Sequence, residues 1–155
     1  MARFVFNLEA VLKQRTHIER ERQRDVASKQ HVLTELQGDL RALQNRVQAA
    51  TDDLRKDHLV GTLDLSFLAA HRRFVLASQR QGMAIAQKIA AAQKVLEEAR
   101  LALQEAAKQR KIIEKLREKQ LARWQDEQNK REMVQQDEIN MQLAFDNFAT
   151  TEDPS

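Results

Sequence analysis

The residues able to carry chemistry are few, and their spacing works against it. Four histidines, His17, His31, His58 and His71, show no His-x-x-x-His pairing, and the chain has no cysteine. Zinc sites need three or four clustered nitrogen, sulfur or oxygen ligands, so no metal centre is expected. His71 falls on an apolar seam and reads as a packed or partly exposed core residue. Neither Gly-x-x-x-x-Gly-Lys-Ser/Thr nor Gly-x-Gly-x-x-Gly occurs, so no backbone cradle for phosphates and no cofactor is expected. The carboxylates alternate with bases along solvent faces, which gives no isolated pair for acid–base work. No catalytic residue is assigned, and the chain is read as not an enzyme.

Basic residues form the one chemical concentration. Residues 108–131 carry nine bases against four acids, a net of +5, with a single aromatic, Trp124. From 132 to the end there are six acids and no Lys or Arg. Interleaved charges of this kind are usually solvated helix faces with i, i+4 pairs. The whole chain is only +3, so nucleic-acid binding is not the expected role. The basic face lacks the broad apolar face of a membrane-surface helix. No apolar run approaches the roughly 18 residues that span a bilayer, and residues 1–8 lack the apolar core of a secretory signal.

The elements that must position these residues are helical throughout. Only 5% of residues are aromatic and 32% are charged, with three glycines and one proline in 155 residues. That composition points to long helices or a coiled coil rather than a compact core. Asn7 reads as an N-cap, Glu9 as a first-turn acid, and Phe6 with Val11 as a hydrophobic staple. From 13 to 25 the apolar signal nearly vanishes. It then returns at Leu33, Leu36, Leu40, Leu43, Val47, Ala50 and Leu54, the alternating three–four spacing of a seam that needs a facing helix.

Gly61 permits a helix-ending left-handed turn, and Thr62 or Asp64 can cap the next helix. A second seam follows: Leu68, His71, Val75, Ser78, Gly82, Ile85, Ile89, Ala92, Leu96, Ala99, Leu103 and Ala106. Folding at the turn sets Leu54 on Leu68, Leu40 on Gly82 and Leu33 near Ile89. The same register sets Leu8 opposite Glu114 and Phe4 opposite Glu118. It leaves about thirty residues, from near Lys119, without a facing helix. The fold class expected is therefore all-α, a long two-helix antiparallel coiled-coil hairpin with an overhanging C-terminal helix. One domain over 1–149 is expected: helix 1 about 7–57, a turn about 58–64, helix 2 about 65–148. The tail at 150–155 is expected to be disordered, and the chain a monomer by itself.

Two stretches at opposite ends carry a family resemblance. One is Arg3-Phe4-Val5-Phe6-Asn7-Leu8-Glu9-Ala10-Val11-Leu12-Lys13. The other is Arg110-Lys111-Ile112-Ile113-Glu114-Lys115-Leu116-Arg117-Glu118-Lys119, followed by Trp124 and by Gln136-Asp137-Glu138-Ile139. In this order, with this length, they resemble the flagellar type III export protein FliJ family. The resemblance implies a cytoplasmic part of the bacterial flagellar protein export apparatus, peripheral on the inner membrane at the flagellar base. It implies a stalk that binds the hexameric export ATPase, a membrane export-gate protein and export chaperones. Phe74 resembles the family's aromatic on the gate-binding surface. One turn later stands Ser78, where the family often has an apolar residue, and the chain has no tyrosine. Arg110, Lys111, Lys115, Arg117 and Arg123 are the expected ATPase contacts, with Trp124 as an anchor. A generic coiled-coil scaffold, and a basic helix pair for nucleic acid, are the alternative readings.

Overall fold

Helix formers dominate the chain, and its only proline is Pro154, so nothing interrupts a helix by removing a backbone donor. The computed structural model describes residues 3–59 and 61–150. Two long helices account for most of them: α1, Glu9–Asp53, and α2, Leu65–Thr150. A π-helical turn, Leu54–His58, follows α1 directly. Among the described residues there is no strand. The protein is an all-α helical hairpin. Residues 151–155 of the expected tail lie outside the described residues.

The turn is built as its residues dictate. Gly61 has φ 98°, a region that L side chains rarely adopt. Asp64 caps α2: its Oδ1 accepts from the Ser66 N–H at 2.9 Å and the Phe67 N–H at 3.3 Å. These are two of the amides that a helix start leaves without an intrahelical partner. Regular α-helix ends at Asp53, earlier than expected, because the last turn widens into the π form.

The chain divides into two compact units. The first to consider is His17–Ala107, an antiparallel pair whose core is a single seam. Leu33, Leu43, Leu96, Ala99 and Ala106 are buried there, and Leu36, Leu40, Val47, Val75, Ile85 and Ile89 are half-buried. Burying each leucine contributes about 1.5–3 kcal/mol. On the rim of the pair Arg100 donates to the Gln30 side chain at 3.2 Å.

Gly82 does face Leu40, as the seam arithmetic requires, but not because space demands a glycine. A Cβ placed on it would lie 3.7 Å from Leu43 Cδ2 and 3.9 Å from Leu40 Cδ1, ordinary contact distances. Beside it runs a groove of about 380 Å³ lined by Leu40, Leu43, Val47, Val75 and the buried Ser78. Gly82→Ala is therefore expected to stabilise the protein by about 1 kcal/mol through helix propensity alone, seen as a higher thermal midpoint. A lower midpoint would mean the helices meet more tightly here than these distances allow.

The second unit is Met1–Thr16 with Lys108–Ser155. Phe6 and Leu12 are its buried apolar residues. The chain enters α1 differently from the sequence expectation. Asn7 and Leu8 form a turn, and the Glu9 N–H donates to the Phe6 carbonyl at 3.2 Å. The backbone of Phe6, rather than an Asn7 side chain, thus receives the first amide. Residues 3–6 are not helical. Extended chain advances about 3.3 Å per residue against 1.5 Å in a helix, so the N-terminal residues reach further along α2 than a helical register allows. Phe4 lies on Trp124 rather than opposite Glu118, and Glu9 pairs with Arg117. The stretch without a facing segment is correspondingly shorter: every residue from 129 to 148 is exposed, whereas Leu121, Trp124 and Gln128 are half-buried.

Candidate partner-binding surfaces

The basic run of α2 sorts into two groups. In the first, the cations are engaged inside the unit. Arg110 is mostly covered and pairs with Glu114 one turn on, at 2.5 Å. Arg117 Nε lies 3.4 Å from Glu9 Oε2, across the two segments. Arg15 Nη1 donates to Gln109 Oε1 at 2.6 Å, a further tie between them. Trp124 is half-buried, its ring centroid 6.0 Å from that of Phe4 with planes inclined at 56°. That tilted arrangement is one that aromatic quadrupoles favour. In the second group, Lys111, Lys115 and Arg123 are exposed.

The six residues expected to meet a partner therefore do not form one free patch. Arg110, Arg117 and Trp124 hold the N-terminal segment or the helix itself, and Lys111, Lys115 and Arg123 stand in solvent. A shallow cavity of about 440 Å³ is lined by Arg3, Phe4, Val5, Phe6, Glu9 and Arg117. It brings together two cations, one carboxylate and two aromatic rings, with Val5 exposed at the rim. Arg15, Glu9 and Gln109 were not singled out by the sequence as a group. Arg15 and Glu9 stand on α1 and Gln109 on α2, and their contacts depend on how far long polar side chains reach across the pair, which no apolar periodicity reports.

Because Trp124 is the only tryptophan, its emission reads this contact locally. Phe4→Ala is expected to shift that emission to longer wavelength and to destabilise the unit by about 1 kcal/mol beyond the lost burial. Unchanged emission would show that Phe4 does not shield the indole in solution.

Phe74 lies in the other unit. It is 40% exposed, although Ser78, one turn on, is buried in the seam. Leu76 beside it is also exposed, and Arg73 turns its Nε toward the Ala69 carbonyl at 3.4 Å. The Phe74 ring thus sits at the seam's margin with an accessible face. The histidines make no comparable cluster. His17 and His31 each contact a glutamate one turn on, Glu21 and Glu35, at 3.2 Å. Among the described residues no group of three His, Cys, Asp or Glu could hold a metal ion.

A family model described as "Flagellar FliJ protein" matches residues 4–147. The chain belongs to the FliJ family. The match runs from Phe4, at the start of the N-terminal segment, past Trp124 and almost to the end of α2, so both tied segments are inside it. No curated protein and no solved structure matches the chain. Membership of the FliJ family makes this a protein associated with flagellar export, and so with protein transport and motility. Among the described residues no helix is long and apolar enough to cross a membrane.

Proposed function

We propose that this FliJ-family chain is a non-enzymatic, cytoplasmic coiled-coil stalk of the export apparatus, peripheral on the inner membrane. It binds the hexameric export ATPase through the unit that carries both termini, and couples it to the membrane export-gate protein and to export chaperones. One observation carries the ATPase half of this reading. Lys111, Lys115 and Arg123 are presented outward on α2, while Phe4, Glu9 and Arg15 hold that same stretch from its other side. The cations are thus displayed on a braced helix, which lowers the ordering cost of binding. Acidic or polar loops of a ring pore are the complementary surface.

The test is the turnover of a purified export ATPase with and without the full chain, together with a pull-down of one by the other. Stimulation and capture at low salt, both lost at high salt, are expected; a chain that neither binds nor stimulates is a scaffold of another kind. The gate half rests on Phe74. Phe74→Ala is expected to leave helicity intact and to weaken binding of the gate protein about tenfold, as loss of an exposed aromatic anchor does. Unchanged gate binding would remove Phe74 from the contact.

A further inference from the structure

From Ile112 onward α2 bears an exposed face that the hairpin does not use. With 3.6 residues per turn, Ile112, Leu116 and Arg123 share one face of α2, and Val134, Glu138, Met141 and Phe145 continue it. Ile112, Val134, Met141 and Phe145 are each more than half exposed, and Leu116 is 37% exposed. Trp124 and Arg117, which meet Phe4 and Glu9, lie on a different face. The charge on this helix changes sign along its length: net +5 over 108–131, then acids without a single base from 132 onward.

We infer that this face is a self-association surface, taken by the same face of a second copy running antiparallel. Such a face is self-complementary. A two-fold axis between Lys130 and Arg131 sets Arg123 opposite Glu138 of the second copy, and the same axis sets Leu116 opposite Phe145. One register therefore satisfies a charge pair and an apolar pair, each twice, as an isologous interface requires. A parallel arrangement would set base on base and acid on acid along the whole helix. Lys130 falls nearest the axis, and Glu127, one turn away on each copy, offsets it. The expectation of a monomer counted only the seams that face each other within the chain. The surface is a single helix–helix seam, so the pair is weak and concentration-dependent. Self-association goes beyond the ATPase reading and needs no ATPase to test, so the two stand or fall separately.

The experiment is sedimentation of the full chain from about 1 to 200 µM, at low and high salt. Weight-average mass should rise from 18.0 kDa toward twice that value at low salt and fall back at high salt. Arg123→Glu and Glu138→Arg should each weaken the dimer about tenfold. The Arg123→Glu, Glu138→Arg double variant should restore it, which a merely misfolded single variant could not do. Lys111→Glu, off this face, should leave it unchanged. Since the chain has no cysteine, orientation can be read by disulfide formation. Mixing Arg123→Cys with Glu138→Cys chains should give the mixed disulfide. A monomer at every concentration, no rescue by the double variant, or Arg123→Cys chains linking only to one another would overturn the proposal.

Discussion

Reversing Lys111, Lys115 and Arg123 to Glu is expected to abolish stimulation of the export ATPase and to weaken its binding by at least about 100-fold. The three substitutions take residues 108–131 from a net of +5 to −1, so an acidic or polar ring surface meets repulsion where it met attraction. These three are chosen because their side chains are exposed. Arg110 and Arg117 belong to contacts with Glu114 and Glu9, and reversing them would mix a folding defect with a binding defect. Exposed charges are screened over about 8 Å at physiological salt, so wild-type binding should itself fall as salt rises. Gate binding through Phe74 should survive, since that residue lies in the other unit. If stimulation persists in the charge-reversed protein with helicity intact, the basic run is a solvated face and the ATPase meets another surface.

The parts of this protein written in periodic form are legible in the sequence itself. Leucines alternating at three and four residues, a glycine at the turn and a cap at Thr62 or Asp64 each have one local cause; the structure gives Gly61 φ 98° and the cap to Asp64. Their agreement was enough to place Leu40 against Gly82. The N-terminus was not legible in the same way. Its register is set by where the backbone stops being helical, and Asn7 is as suited to a turn as to a cap. The extended residues there decide that Phe4 meets Trp124, and Glu9, at the start of α1, meets Arg117 through the reach of the guanidinium. The candidate site inherited this blindness. Residue type marks Arg110, Arg117 and Trp124 as apt for a partner, but only the fold shows Arg117 and Trp124 engaged within the chain. The Arg110–Glu114 pair could have been read from its spacing of four; the Arg117–Glu9 pair could not.

Truncating the seam should have effects as large as the charge reversal, and unequal at its two deepest leucines. Leu43 and Leu96 are 4% and 3% exposed, the most buried residues of the chain's apolar core. Leucine-to-alanine changes at buried sites cost about 2–5 kcal/mol, and the spread depends on whether a void is left. Leu43 borders the open groove beside Gly82. Its truncation widens a space that water already reaches, so the transfer term dominates and the cost should be about 2 kcal/mol. Leu96 is the more deeply buried of the two, so its truncation also leaves unfilled contacts and should cost about 3–4 kcal/mol. The seam sets Leu43 near Ser78 and Gly82, and Leu96 several turns away along α2. The two costs should therefore add. Their sum, about 5–6 kcal/mol, equals the whole stability of a weakly stable domain. The Leu43→Ala, Leu96→Ala double variant should thus lose most of its helical circular dichroism by about 37 °C. Leu101→Ala, at a residue that is 57% exposed, should change the midpoint little. Denaturant midpoints of the single variants decide the order. If Leu43→Ala costs as much as Leu96→Ala, the groove beside Gly82 is closed in solution and that part of the seam is packed more tightly than the distances around Gly82 indicate.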